Sequence, residues 1–323
     1  HKIQQIKQWE GQRKMRQNSY PPEGMTPDYS LLREYVQSAA GIERAIEEGI
    51  ILESRASLCD GNHSLHVDLG NGAYGIIPFD ECALDGENAK PISAISRVGK
   101  NVCFKITDRR TSAFGGTDIM LSRRAAQQEC LKNYVEPLSA GDVIPARVTH
   151  IEQFGAFCDI GCGIVSLLPI DGMSVSRISH PRDRFENGQP INAVVKTPWG
   201  DDGRLILSHR ELLGTWEENA AKYSVGQTVT GIVRSIEQYG VFVELTPNLA
   251  GLAEYSDELA IGDCVSVFIK SIIPQKMKLK LVIIDRAECA RKTHSYDYYI
   301  TSGSIKRWQY SPNGAVKLIE TVF

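Results

Sequence analysis

Two heptapeptides, IEQFGAF at residues 151–157 and IEQYGVF at residues 236–242, place aromatic side chains on both sides of a glycine. Aromatic rings turned to water offer a flat surface on which unpaired bases stack, at about 1–3 kcal/mol per contact and with little regard to base identity. The chemistry this pattern predicts is therefore binding. No phosphate-cradling glycine loop, nucleophile motif or metal-carboxylate cluster stands out in the sequence. Ser208-His209-Arg210 reads as a strand end whose serine caps a helix. Eight cysteines lie scattered without a C-x-x-C pair, and Cys158 and Cys162, four apart, have no second pair to complete a ligand set. The expectation is no catalytic residues, no metal, no cofactor, and free thiols in a reducing cytoplasm.

Strand periodicity decides which way the rings point. Successive side chains in a strand alternate faces. In GAFCDI, Ala156, Cys158 and Ile160 share one face, while Phe157 shares the other with Asp159. In GVFVEL, Phe242 shares its face with Glu244. A barrel interior would not accept an unpartnered carboxylate, so the acids are expected to mark the wet face and to carry both phenylalanines out with them. Gly155 and Gly240 then sit where a bulge or a close backbone approach is expected, with Phe154 and Tyr239 at the mouth of the same surface.

The repetition extends well past the heptapeptides. SAGDVIPARVTHIEQFGAFCDI (139–160) aligns without gaps to SVGQTVTGIVRSIEQYGVFVEL (224–245), and HVDLGNGAYGIIP (66–78) aligns to FCDIGCGIVSLLP (157–169). Each copy closes on a similar run: DIMLSRR (118–124), RLILSHR (204–210) and LKLVIIDR (279–286). Short alternating strands between Gly, Pro and Asn turns predict small barrels. Units of this size fit the five-stranded OB-type barrel. The segments 122–138 and 208–224 read as helical connectors.

The predicted fold is mainly β, with three tandem five-stranded OB-fold barrels joined by short helical connectors and a C-terminal β-hairpin tail. The expected domains are an N-terminal extension with a short helix (1–42), a degenerate first repeat with its connector (43–137), a second repeat with its connector (138–223), a third repeat (224–290) and a basic aromatic tail (291–323). In the extension, Asp28 is placed to cap a helix. In the tail, Tyr296, Tyr298, Tyr299, Trp308 and Tyr310 surround a Thr301-Ser302-Gly303 turn and are expected to pack onto the third repeat.

Basic residues fall at matching places in the repeats. Arg204 alternates with apolar neighbours on the last strand of the second repeat, and Lys278 and Lys280 do so in the third. Lys196 and Lys270 lie one strand earlier, and Arg147 and Arg234 lie on the first strands. Beside exposed aromatics these are candidate phosphate contacts. In the first repeat the aromatic is replaced by His66, with no F-G-x-F before it, so stacking is expected to be weak there.

With these residues in view, the repeats resemble the S1-type RNA-binding domain, an OB-fold module. The match is carried by GDVIPARVTHIEQFGAFCDIG (141–161), GQTVTGIVRSIEQYGVFVEL (226–245), and the closing RLILSHR and DIMLSRR. The resemblance implies that Phe154, Phe157, Tyr239 and Phe242 contact RNA, with Arg204 and Lys278 in the place of a family arginine. It also implies a role in translation, with messenger RNA held at the small ribosomal subunit. The chain departs from the pattern where Pro78, Pro169 and Glu254 replace a family histidine, and where Asp201 is the nearest match to an aspartate before the last strand.

Whole-chain charge gives no support to nucleic-acid binding. The net charge is −3, yet residues 1–24 and 289–323 each hold five Lys or Arg against two acidic residues, which leaves an acidic middle. No run of residues is long and apolar enough for a membrane span, and the polar start lacks the apolar segment of a secretion signal. The expected protein is a monomeric, cytoplasmic, non-enzymatic binder of single-stranded RNA, with the small ribosomal subunit or another protein engaged through the first repeat. The rival expectation is a scaffold that docks on a ribosome or transcription complex, with RNA incidental.

Overall fold

A computed structural model describes residues 20–111, 117–288 and 296–323. The polar start at 1–19, Cys289 and residues 291–295 of the predicted tail lie outside the described residues. The chain divides into two compact units. One runs to Pro137 and includes 145–147 and 159–165; the other comprises 138–144, 148–158 and 166–323.

Three closed barrels of five strands account for most of the β-structure. The first is built from β1 (Leu52–Cys59), β2 (Leu65–Gly70), β3 (Ala73–Ile77), β4 (Asn101–Thr111) and β5 (Thr117–Ser122). The second uses β6 (Val143–Glu152), β7 (Gly155–Asp159), β8 (Val165–Pro169), β9 (Pro190–Thr197) and β10 (Ile206–Ser208). The third uses β11 (Thr228–Glu237), β12 (Gly240–Thr246), β13 (Leu249–Ala253), β14 (Cys264–Ile273) and β15 (Lys278–Arg286). In each, the first three strands meander, the fifth lies parallel to the third, and the fourth closes the ring. That order is the Greek-key closure of an OB fold, which leaves no open sheet edge.

Alternation fills each interior. Val241, Val243, Leu249, Ala253, Val265, Val267, Ile269, Leu279 and Leu281 are buried in the third barrel, and Leu52, Ala56, Leu65, Val67, Ile77, Val102, Phe104 and Leu121 in the first. Helix Tyr29–Val36 begins at Asp28, whose carboxylate accepts the Ser30 and Leu31 amides at 3.1 and 2.9 Å. A second helix, Ala39–Glu48, ends at Gly49 in the left-handed conformation, φ +60°.

The connectors differ from expectation in detail. Ser122 caps helix Arg123–Cys130 through the Ala125 amide at 2.8 Å, and one π turn, Leu131–Val135, follows. In 208–224 only Trp216–Ala220 is α-helical, because Gly214 at φ +83° ends a preceding 3-10 turn, Arg210–Leu213. Ser208 is not the helix cap predicted: its hydroxyl meets the Glu211 carboxylate and the Gly172 carbonyl. Thr215 caps instead, in a reciprocal pair with Glu218.

The tail does form a two-stranded sheet, β16 (Arg307–Gln309) against β17 (Glu320–Val322). The chain reverses between Tyr310 and Ile319 rather than at Thr301-Ser302-Gly303. The latter segment runs alongside Gly141–Val143, with the Val143 amide on the Gly303 carbonyl at 3.0 Å and the Ile305 amide on the Gly141 carbonyl at 2.8 Å. Trp308 and Tyr310 are buried in the same apolar cluster as Trp216, Val194 and the third barrel's interior. The thiols require a correction as well. Cys59, Cys82, Cys103, Cys130, Cys158 and Cys162 are free, but Cys264 is disulfide-bonded, a pairing that the search for close sequence spacings did not anticipate.

Candidate nucleic-acid interface

The glycine of each heptapeptide is required by close strand packing. A Cβ on Gly155 would stand 2.6 Å from the Leu168 carbonyl oxygen, and one on Gly240 would stand 2.3 Å from that of Ala253. Gly240 also adopts φ +152°. With the strands drawn together there, Phe154 and Tyr239 project from the tip of the β6–β7 or β11–β12 hairpin, and Phe157 and Phe242 stand two residues into β7 and β12. Phe154 is 56% exposed and Tyr239 69%, while Phe157 and Phe242 are half-buried. Each pair meets edge to face, Phe154 on Phe157 with centroids 6.0 Å apart and Tyr239 on Phe242 at 6.2 Å, a favoured aromatic geometry. His150 lies nearly parallel to Phe157 at 6.3 Å and widens the second barrel's surface. Sequence reasoning missed it, because the aligned position in the third barrel is Ser235, which faces Phe242 across the ladder.

The acids that were expected to mark the wet face are buried. Asp159 accepts the Gly161 and Gly163 amides at 2.8 and 3.0 Å and the Glu23 amide at 2.7 Å. Burial, followed by repulsion from Glu23, pushes its carboxyl up to about 7. Glu244 takes a bidentate pair of hydrogen bonds from Arg184 at 2.9 and 2.6 Å, and two more from Arg234 at 2.9 and 3.1 Å. These carboxylates do point away from the barrel interiors, as the alternation requires. Other protein groups cover them instead of water, and the phenylalanines beside them are only partly wet.

Two of the basic candidates are spent in the same way. Arg234 is buried between Glu244 and Asp183, so it is not a phosphate contact. Arg147 is half-buried and donates to the Glu23 carbonyl at 2.6 Å. Arg204, Lys196, Lys270 and Lys278 are exposed, as is Lys280. Among the described residues none of these five is held in an ion pair.

Lys196 and Lys270 owe their position to a bulge. The β9–β10 register jumps from Val195 to Thr197, and the β14–β15 register from Ile269 to Ser271. In each case the lysine is the extra residue, which a bulge re-aims outward. Lys280 lies in register with Leu252, which faces Phe242 on the next strand. Two strand spacings put the lysine about 10 Å from the ring's strand.

The first barrel keeps the geometry and loses the chemistry. Its equivalent row is Leu58, His66, Ile76 and Met120, with Thr107 in the bulge. His66 lies 3.1 Å from Asp60. Asp118 occupies the register position of Lys278, and Asp108 that of Ser271; Arg204, expected on the last strand of the second barrel, instead precedes β10. Asp108 there is paired with Arg110 at 2.8 Å. Among the described residues no group of three or more His, Cys, Asp or Glu side chains is arranged to hold a metal ion, and no helix is long and apolar enough to cross a membrane.

An aromatic pair astride a tightly packed glycine, on a closed five-stranded barrel, is matched by a family: the S1 RNA binding domain aligns with residues 138–210. The match covers the whole of the second barrel. The chain is also similar to small ribosomal subunit protein bS1 of Rhizobium meliloti (strain 1021), 30% identical over 67% of this chain and 39% of that protein. The bS1 homolog of Bacillus subtilis (strain 168) is 33% identical over 43% of this chain and 37% of that protein. The solution structure of GSP13 from Bacillus subtilis overlaps at 19% identity with 27% of this chain and 73% of that one, at a TM-score of 0.23. The chain spans about two fifths or less of the length of these two ribosomal relatives. The matched residues 138–210 include Phe154, Phe157, Lys196 and Arg204, and the third barrel repeats the second barrel's register.

Proposed function

We propose that this chain is a non-catalytic binder of single-stranded RNA, held on the aromatic pairs of its second and third barrels, and that it acts in translation by keeping messenger RNA at the small ribosomal subunit. The observation that carries the reading is the twice-built platform, Phe154 with Phe157 and Tyr239 with Phe242. Both pairs lie within one compact unit. Each stacked base contributes about 1–3 kcal/mol, and the exposed Lys196, Arg204, Lys270, Lys278 and Lys280 supply sites for the phosphates between them. The likeness to small-subunit proteins supports the ribosomal setting and a cytoplasmic location.

The first barrel is assigned a different task. With His66 paired to Asp60 and with Asp108 and Asp118 on its face, it contacts protein on the subunit rather than RNA, and the chain works as a monomer. A scaffold whose barrels all dock on protein is the second reading, favoured by those same carboxylates.

Titration of an unstructured pyrimidine-rich RNA at two salt concentrations separates them. RNA binding through phosphates and rings predicts affinity that falls as salt rises. Co-sedimentation with small subunits should then persist when the RNA-binding rings are replaced by alanine. A chain that binds subunits but no RNA at either salt concentration is the scaffold.

A further inference from the structure

The outer face of the third barrel carries an aromatic that the other two barrels lack. Phe268 on β14 is 37% exposed, and its ladder partner Val282 on β15 is 41% exposed. Ile284, two residues on, is 56% exposed. The register identifies the equivalent positions elsewhere. In the first barrel it is Lys105, opposite Ser122, and its ammonium is taken by Glu129 of helix Arg123–Cys130. In the second it is Val194, opposite Ser208, which is fully buried in the cluster with Leu212 and Trp216. The same place is thus occupied in two barrels by the segment that follows the last strand. In the third barrel it presents a phenyl ring to water.

What surrounds the ring indicates the ligand. Lys270, two residues along β14, is thrown outward by the bulge. Lys280, two residues before Val282 on β15, links this patch to Phe242 through Leu252. Lys278 continues the row, and none of the three lysines is ion-paired among the described residues. Asp285, in register with Ser266 on β14, accepts the Arg286 amide. Lysine is depleted at the centre of protein–protein contacts, whereas a ring between unpaired cations suits a base and its flanking phosphates. Counting strand spacings and residue rises, Phe268 lies roughly 15 Å across the sheet from Phe242.

We propose that Phe268, flanked by Lys270 and Lys280, is a further base-stacking position for single-stranded RNA, so that the third barrel engages a longer stretch of the strand than the second. This rests on the RNA-binding function proposed above. The strand leaves Tyr239 and Phe242, passes its phosphates over Lys280, and sets a later base on Phe268.

The test uses the full chain carrying Phe157→Ala, which removes the second barrel's inner ring, and oligouridylates of about four and about twelve nucleotides, the span of single OB-fold sites. Adding Phe242→Ala should weaken both oligomers. Adding Phe268→Ala should weaken the longer one by about fivefold or more and leave the shorter unchanged. Phe268→Trp should bind the longer oligomer as well as phenylalanine does. Cross-linking of 4-thiouridine in the longer oligomer should label the peptide that contains Phe268. If Phe268→Ala binds the longer oligomer as tightly as its parent while Phe242→Ala does not, this proposal fails and the RNA-binding function stands. If Phe242→Ala also binds like its parent and Phe157→Ala binds like the wild type, both fail. If Phe268→Ala leaves RNA binding intact but abolishes self-association in sedimentation velocity, the face belongs to a second copy of the chain and the proposal is overturned.

Discussion

At Gly240 the margin is a single carbon atom. A methyl group there would lie 2.3 Å from the Ala253 carbonyl oxygen, on a backbone already at φ +152°. Gly240→Ala is therefore expected to cost about 1–3 kcal/mol in chemical denaturation, as overpacking does, and to weaken RNA binding by displacing Tyr239 and Phe242. His209 offers a second test at this scale. It is buried against Phe185, Tyr296 and Tyr298 at 5.1, 4.8 and 5.5 Å, with its Nδ1–H on the Met173 carbonyl. Burial depresses it from 6.5 to about 4, and Arg184 pushes in the same direction. The unfolded chain takes up this proton below about 6.5 and the folded chain only near 4. Its contribution to stability is complete above the first value, declines as the pH falls, and is lost once the second is passed, with a slope of at most about 1.4 kcal/mol per pH unit. Unfolding of His209→Gln between pH 7 and 4 should show a shallower dependence than the wild type, and equal slopes would contradict the assignment.

Strands were largely legible in the sequence, because a period of two and a repeat without gaps leave few alternatives. Phe154, Phe157, Tyr239 and Phe242 fall on the surface for the reason alternation gives. The step that failed was the inference from acid to water. Asp159 and Glu244 lie opposite the barrel interiors, but loop amides and arginines cover them, and local pattern cannot sense a partner such as Arg184, sixty residues away. The partners of Arg147 and Arg234, the Glu23 carbonyl and the Glu244 carboxylate, lie far away in sequence and on another strand respectively. Lys196 and Lys270 were correctly placed beside the last strands, but only the ladder shows that each occupies a bulge. At this scale, Lys196→Ala and Lys270→Ala should each weaken RNA binding and reduce its salt dependence, by about 0.7 in log–log slope for each phosphate that the lysine no longer neutralises. An unchanged slope would make them ordinary surface lysines.

In the unit that holds both platforms, Arg184 follows the second barrel's 3-10 turn at Pro181–Asp183 and grips Glu244 of the third barrel. Trp308 and Tyr310 of the tail fill the cluster that contains Val194 and the third barrel's interior. Arg184→Ala would strand a buried carboxylate with Arg234 alone, and a loss of about 3 kcal/mol on unfolding is expected. Neither Arg184 nor the tail's path past Gly141 could be read in advance, since both depend on contacts between segments far apart in sequence. The central claim remains that the repeated rings hold unpaired bases. It is tested most directly by titrating labelled pyrimidine-rich RNA into the wild type and the Phe157→Ala/Phe242→Ala variant, with folding checked by denaturation. The account predicts a loss of about 1–3 kcal/mol for each ring removed, and equal affinity of a folded double variant and the wild type would contradict it.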